Sequence, residues 1–151
     1  MSEADTARIQ SNLTEVRNRI AAAAIGAGRR PEDVLLVAVT KYVDVATTRL
    51  LVDAGCRDLG EARPQKLWEK AAALADRNVR WHLIGHLQRN KIRRTLPLTH
   101  LIHAGDSLPL LEEIGREATT SETTGRRPAS VLLEVNISGD AAKHGFAPGD
   151  L

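Results

Sequence analysis

Residues 34–41, Val-Leu-Leu-Val-Ala-Val-Thr-Lys, carry apolar side chains at six of their first seven positions and end on a lysine. A run this continuous predicts a strand buried on both faces, as in a parallel sheet covered by helices. Ahead of it, Ile9, Leu13, Val16, Ile20 and Ala24 recur at helical spacing. They predict an amphipathic helix over residues 6–24, within an N-terminal helical segment of 2–25. Ser2 and Asp5 resemble a capping box at its start, and Gly26, Gly28 and Pro31 end it.

Behind the lysine, Asp44 caps a helix over residues 45–54, and Gly55 closes it as a left-handed stop. A short strand over 57–60 leads to Glu61. Pro64 then suits the first turn of a helix reaching about residue 76, with Leu67, Ala71 and Leu74 facing inward. A third strand covers 79–85, a short basic helix covers 87–95 up to Pro97, and a fourth strand covers 98–104. Asp106 or Ser107 caps a helix through residue 118. The polar stretch 119–127 predicts a flexible loop, 131–136 a fifth strand, and 137–151 a glycine-containing tail.

Strands alternating with helices over residues 34–118 imply right-handed crossovers and a parallel sheet. The order suits an open doubly wound sheet or part of a (βα)-barrel, within one partial domain spanning 1–151. In either case the strand ends gather Lys41, Glu61, Gly85-His86, Gly105-Asp106 and Asn136 at one rim, where such folds build their sites. Five strands do not close a barrel of the eight-stranded type.

Composition changes this picture little. The chain has 151 residues, 42% hydrophobic, 26% charged and 3% aromatic, with a net charge of +2. That balance carries no nucleic-acid footprint, and no apolar run approaches the roughly 20 residues that span a bilayer. The N-terminus lacks the basic region and apolar core of a signal peptide, so a cytoplasmic chain is expected. Cys56 is the single cysteine. An intrachain disulfide and a cysteine-based zinc site are thereby excluded, and a small core residue is expected instead.

Lys41 is the sharpest chemical candidate. A lysine buried at a strand end tends to lose its proton, and a neutral amine is what Schiff-base chemistry with an aldehyde requires. The plainer alternative is a lysine that ends the strand and reaches to water. Glu61 suits three roles: orienting a cofactor, pairing with Lys41, or hydrogen-bonding neighbouring backbone. His82 and His86 lie four residues apart along a strand, roughly 13 Å at about 3.3 Å per residue, too far to share one ion. No metal site is expected. The run Arg89-Asn90-Lys91-Ile92-Arg93-Arg94 reads as a solvated helix face or, alternatively, a phosphate patch. It lacks interleaved aromatics for base stacking, and neither a dinucleotide fingerprint nor a P-loop is present.

Five blocks occur in one order: Leu36-Val37-Ala38-Val39-Thr40-Lys41, Ala54-Gly55-Cys56-Arg57-Asp58-Leu59-Gly60-Glu61, Trp81-His82-Leu83-Ile84-Gly85-His86-Leu87-Gln88-Arg89-Asn90-Lys91, Ile102-His103-Ala104-Gly105-Asp106-Ser107-Leu108, and Leu132-Leu133-Glu134-Val135-Asn136-Ile137-Ser138-Gly139. Together they resemble the pyridoxal phosphate homeostasis proteins. The resemblance implies a (βα)-barrel of the alanine-racemase N-domain type, here with about five of its eight strands. It also implies pyridoxal 5′-phosphate held as an aldimine on Lys41, with His82 and Asn136 lining the barrel mouth. Ala62 and Arg63 stand where the family commonly has Asn and Tyr. The family continues beyond the segment ending at Leu151, so a C-terminally truncated form is expected, with Arg89 or Lys91 left to meet a cofactor phosphate.

The function expected on this basis is carriage of pyridoxal phosphate toward recipient apoenzymes, with no substrate turnover, no nucleic acid and no membrane partner. The chain is expected to be a monomer or to self-associate weakly through the open sheet edge. One alternative is a racemase-like enzyme. It needs a second acid–base group across the cofactor, and Tyr42, next to Lys41 in extended chain, points elsewhere. The other is an apo fragment that works only with a partner chain.

Overall fold

A computed structural model of the chain describes residues 3–122 and 129–150. Helix α1 spans Glu3–Gly26. Of its predicted apolar stripe, Leu13 and Ala24 are buried, whereas Val16 stays 39% exposed. Arg17 Nη2 donates to the Gly55 carbonyl at 2.9 Å and pins the helix to the next unit. Ser2, the expected cap, lies outside the described residues.

Strand β1 is only Ala38–Val39, followed by helix α2 at Val45–Asp53. Then come strand β2 at Asp58–Glu61, helix α3 at Pro64–Ala73 and strand β3 at Arg80–Leu83. Helix α4 at Ile92–Thr95, strand β4 at Thr99–Gly105, helix α5 at Leu108–Glu122 and strand β5 at Val131–Leu133 complete the order. All neighbouring pairs are parallel, and the sheet runs β1-β2-β3-β4-β5. A doubly wound sheet reverses its order at a switch point. Strictly sequential winding is instead that of a (βα)-barrel arc, which decides between the two architectures the sequence left open.

The core lies between the outer face of the sheet and the helices, where Val52, Leu59, Leu67, Leu83, Ile92 and Ile102 are at most 1% exposed. Among the described residues the opposite face has no helical layer. This corrects the expectation for residues 34–41: Leu36 and Ala38 pack on the core, while Leu35 and Val39 remain 56% and 52% exposed. A continuous apolar run therefore marks a strand whose second face looks into the barrel interior. The outer strand β5 likewise leaves Leu132 and Leu133 about half exposed.

Two other expectations need correcting. The basic segment is not one helix: a 3₁₀ turn at Arg89–Lys91 precedes the single α-turn of α4, and another 3₁₀ turn follows at Leu96–Leu98. Buried Ile92 and Thr95 fix this path, and the Arg94 guanidinium lies 4.1 Å from the Trp68 ring centroid. Residues 119–122, expected in a loop, are helical. Thr119 and Thr120 return their hydroxyls to the carbonyls of Gly115 and Arg116 at 2.9 Å, which reconciles polar side chains with helix. The rest of that expected loop, 123–127, lies outside the described residues.

Candidate functional site

Lys41 follows β1 on a turn rather than in extended chain. Thr40 anchors that turn: its N–H donates to the Gly60 carbonyl at 2.8 Å and its hydroxyl to the same oxygen at 3.2 Å. The Thr40 carbonyl accepts from the Val43 N–H at 3.1 Å, closing the turn over Lys41 and Tyr42. Asp44 then caps α2 by accepting from the Thr47 N–H at 2.8 Å, and this donation holds its carboxyl below the usual aspartate range. Lys41 is exposed, which corrects the expectation of a buried amine: the turn carries its side chain out of the sheet and into water. Its Nζ stands 4.9 Å from the Tyr42 ring centroid, so the turn brings together two side chains that extended chain would separate.

Glu61 at the end of β2 takes none of its charge partner from Lys41. Its Oε2 meets Lys70 Nζ at 2.7 Å, with both side chains at most 4% exposed, and its Oε1 accepts from the Ala62 N–H at 2.9 Å. Lys70 went unnoticed in the sequence. The signal was there, a lysine between Leu67 and Ala71 on the buried stripe of α3. Next to Glu61 the chain passes very close to the end of β3: a Cβ on Gly85 would stand 2.3 Å from the Ala62 carbonyl oxygen. Only glycine fits there.

His82, level with Gly60 in the sheet, is fully buried. Its Nε2 lies 3.0 Å from Asp58 Oδ1 and its Nδ1 3.0 Å from His103 Nε2. Asp58 also takes Arg80 Nε at 2.7 Å and Arg80 Nη2, and these bonds hold its carboxyl below the usual range. An ionised Asp58 only accepts. A neutral His82 therefore keeps its proton on Nε2 and accepts at Nδ1 from His103. Burial, and to a lesser degree His82, lower the His103 imidazole below its ordinary value. His82 is thus committed at both nitrogens to groups inside the sheet.

Asn136 follows β5 by three residues and ties down the loop to Phe146. Its Nδ2 donates to the Asp140 carbonyl at 2.9 Å, its Oδ1 accepts from Ser138 Oγ at 2.9 Å, and its N–H donates to the Phe146 carbonyl at 2.8 Å. An open groove there is lined by Asn136, Ile137, Ser138, Lys143 and His144. Lys41 and Asn136 share the rim but not a neighbourhood. They follow the two outer strands, four spacings of about 4.8 Å apart along the sheet. Two wider grooves, of 540 and 620 Å³, open near the amino-terminal ends of the strands, where barrels do not place chemistry.

The rim also gathers a set that sequence spacing could not join. His86 Nδ1 meets Asp106 Oδ2 at 2.7 Å, and the rings of His86 and His144 stack at 4.9 Å and 19°. One ligand atom from each of these three residues falls within 4.8 Å of the others. Parallel stacking sets the two rings side by side rather than converging on one point. Asp106 moreover spends its second oxygen on Ser107 Oγ at 3.1 Å.

No family model matches the chain. It is 39% identical over 143 residues to the pyridoxal phosphate homeostasis protein of Pseudomonas aeruginosa, covering 95% of this chain and 60% of that one. The protein of the same name from Mycobacterium leprae is 33% identical over 151 residues, covering 91% and 59%. The chain therefore spans about three-fifths of the length of these curated relatives. Among solved structures, PipY of Synechococcus elongatus with PLP bound is 35% identical at a TM-score of 0.76, covering 95% and 60%. Alanine racemase from Streptomyces coelicolor, at 22% identity and a TM-score of 0.67 over 95% and 35%, shares the fold.

Proposed function

The chain belongs, by homology along nearly all of its length, with the pyridoxal phosphate homeostasis proteins, and we propose that it binds pyridoxal 5′-phosphate covalently through Lys41. The observation that carries this reading is an exposed primary amine on a pinned turn at the carboxyl end of β1. Such an amine fits the aldehyde of the cofactor. Lys41 would hold the cofactor, whose aldehyde would supply the electrophilic carbon for a neutral amine, with water as the product released. The cofactor supplies the aldehyde; the chain supplies the amine, its position and its surroundings.

In this reading His82 supports the site from within the sheet, as the middle member of a chain that runs from Asp58 to His103. Asn136 shapes the opposite side of the rim through the loop it ties down. Carriage without turnover, in the cytoplasm and toward recipient apoenzymes, completes the proposal. Converting a substrate would call for a second acid–base group facing Lys41. Tyr42, the chain's single tyrosine, lies against Lys41 itself and favours the carrier reading over the racemase-like one.

The test is absorption of the purified chain with added pyridoxal phosphate, beside Lys41→Ala. A visible band that borohydride fixes to Lys41, and that the variant lacks, is the expected result. A wild-type spectrum equal to that of free cofactor rejects the reading.

A further inference from the structure

We infer that Lys70 and Glu61 form a buried clamp that positions Lys41 for cofactor capture, an inference resting on the reading of Lys41 above. Lys70 Nζ has two partners at 2.7 Å, Glu61 Oε2 and the Thr40 carbonyl oxygen. That carbonyl belongs to the residue immediately before Lys41. It is the same oxygen that accepts from the Val43 N–H and closes the turn presenting Lys41.

A buried ion pair is a poor way to stabilise a core, since apolar side chains of similar volume usually serve as well. What an apolar pair cannot do is donate to Thr40. The Lys70 side chain is 4% exposed and that of Glu61 1%, so both charges are fixed in place. Glu61 is fixed in turn by the Ala62 N–H. The turn is thus held from three sides: by Gly60 through Thr40, by Asp44 through α2, and by Lys70 from below. One lysine acts as a rigid strut so that another can stand at the rim in a defined direction. Lys70 is a positioning residue and does not itself meet the cofactor.

The test compares wild type with Glu61→Leu/Lys70→Met, which replaces the pair by apolar groups, and with Glu61→Gln, which leaves Lys70 its bond to Thr40. Two rates are read on Lys41 by borohydride or direct peptide mapping: capture of pyridoxal phosphate and acetylation by an indiscriminate acylating reagent. The double variant should fold and capture the cofactor at least tenfold more slowly, with acetylation within twofold of wild type. Glu61→Gln should stay close to wild type in both. A double variant that captures cofactor at the wild-type rate, loses both reactions equally, or does not fold overturns the clamp. So does an equal loss in Glu61→Gln. Absence of any Lys41 adduct in wild type rejects the functional reading itself, and the clamp with it.

Discussion

Asp58 Oδ1 lies 3.0 Å from His82 Nε2, joining an ion pair on the inner face of the sheet to a fully buried imidazole. Chiefly through the Arg80 hydrogen bonds, the Asp58 carboxyl sits below its ordinary value of 3.8. A carboxyl depressed on folding stabilises the protein fully above its unfolded value and loses that contribution as pH falls through the folded one. Asp58→Asn should therefore cost about 2 kcal/mol at neutral pH, the scale of hydrogen bonds to a charged group. Urea midpoints of wild type and variant should converge as pH is lowered below 3.8. A gap that persists unchanged into strong acid would show that the ionised carboxyl is not what matters.

His103 makes the second pH-dependent contribution, in a separate window. Its ordinary value of 6.5 is lowered by burial and then by His82. Here the unfolded chain takes up the proton first as pH falls. The contribution is complete above 6.5 and declines as pH falls from there through the lower folded value. Proton NMR of the ring should give a midpoint below 6.5. A midpoint at or above it contradicts the part-buried, neutral donor that the chain from Asp58 requires.

Two glycines should respond in opposite directions to the same change. A Cβ at Gly85 would press on the Ala62 backbone, which has no flexible end to move aside. Gly85→Ala should lose about 2–3 kcal/mol by overpacking. Gly115, in the middle of α5, has nothing within 4 Å of an added Cβ. Gly115→Ala should gain roughly 0.5–1 kcal/mol from a stiffer unfolded chain and a better helix former. Thermal or urea unfolding of the pair separates the two, and equal effects would remove the argument from close approach.

The succession of elements and the rim were legible because periodicity marks each element and parallel winding collects strand ends on one side, whereas the order of strands in the sheet was not. Lys41, Glu61, His86, Asp106 and Asn136 are all found there. Partnerships were not legible, because they join residues from different units. Glu61 left three alternatives open, and only the packing of α3 onto β2 shows that Lys70 takes its charge. Strand spacing separated His86 from His82, but spacing could not name its partners, Asp106 and His144, which the winding of the sheet brings to it. The apolar run at residues 34–41 misled in a physical way, since hydrophobicity cannot tell a helix-covered face from a barrel interior.

Lys41 allows function and folding to be separated. Its side chain is exposed, and Nζ lies near the Tyr42 ring, itself 86% exposed. The turn that carries it is held by backbone groups of Thr40 and Val43, which a change of side chain leaves intact. Lys41→Ala should accordingly change stability by no more than about 0.5 kcal/mol, as surface substitutions do. Nor should Lys70 take over the cofactor, because its ammonium is buried and already shared between Glu61 and Thr40. Peptide mapping of borohydride-treated Lys41→Ala should find no cofactor on Lys70, while the melting curve matches wild type. Labelled Lys70 in that variant would mean that the buried pair opens readily, and the turn would then lack its support from below.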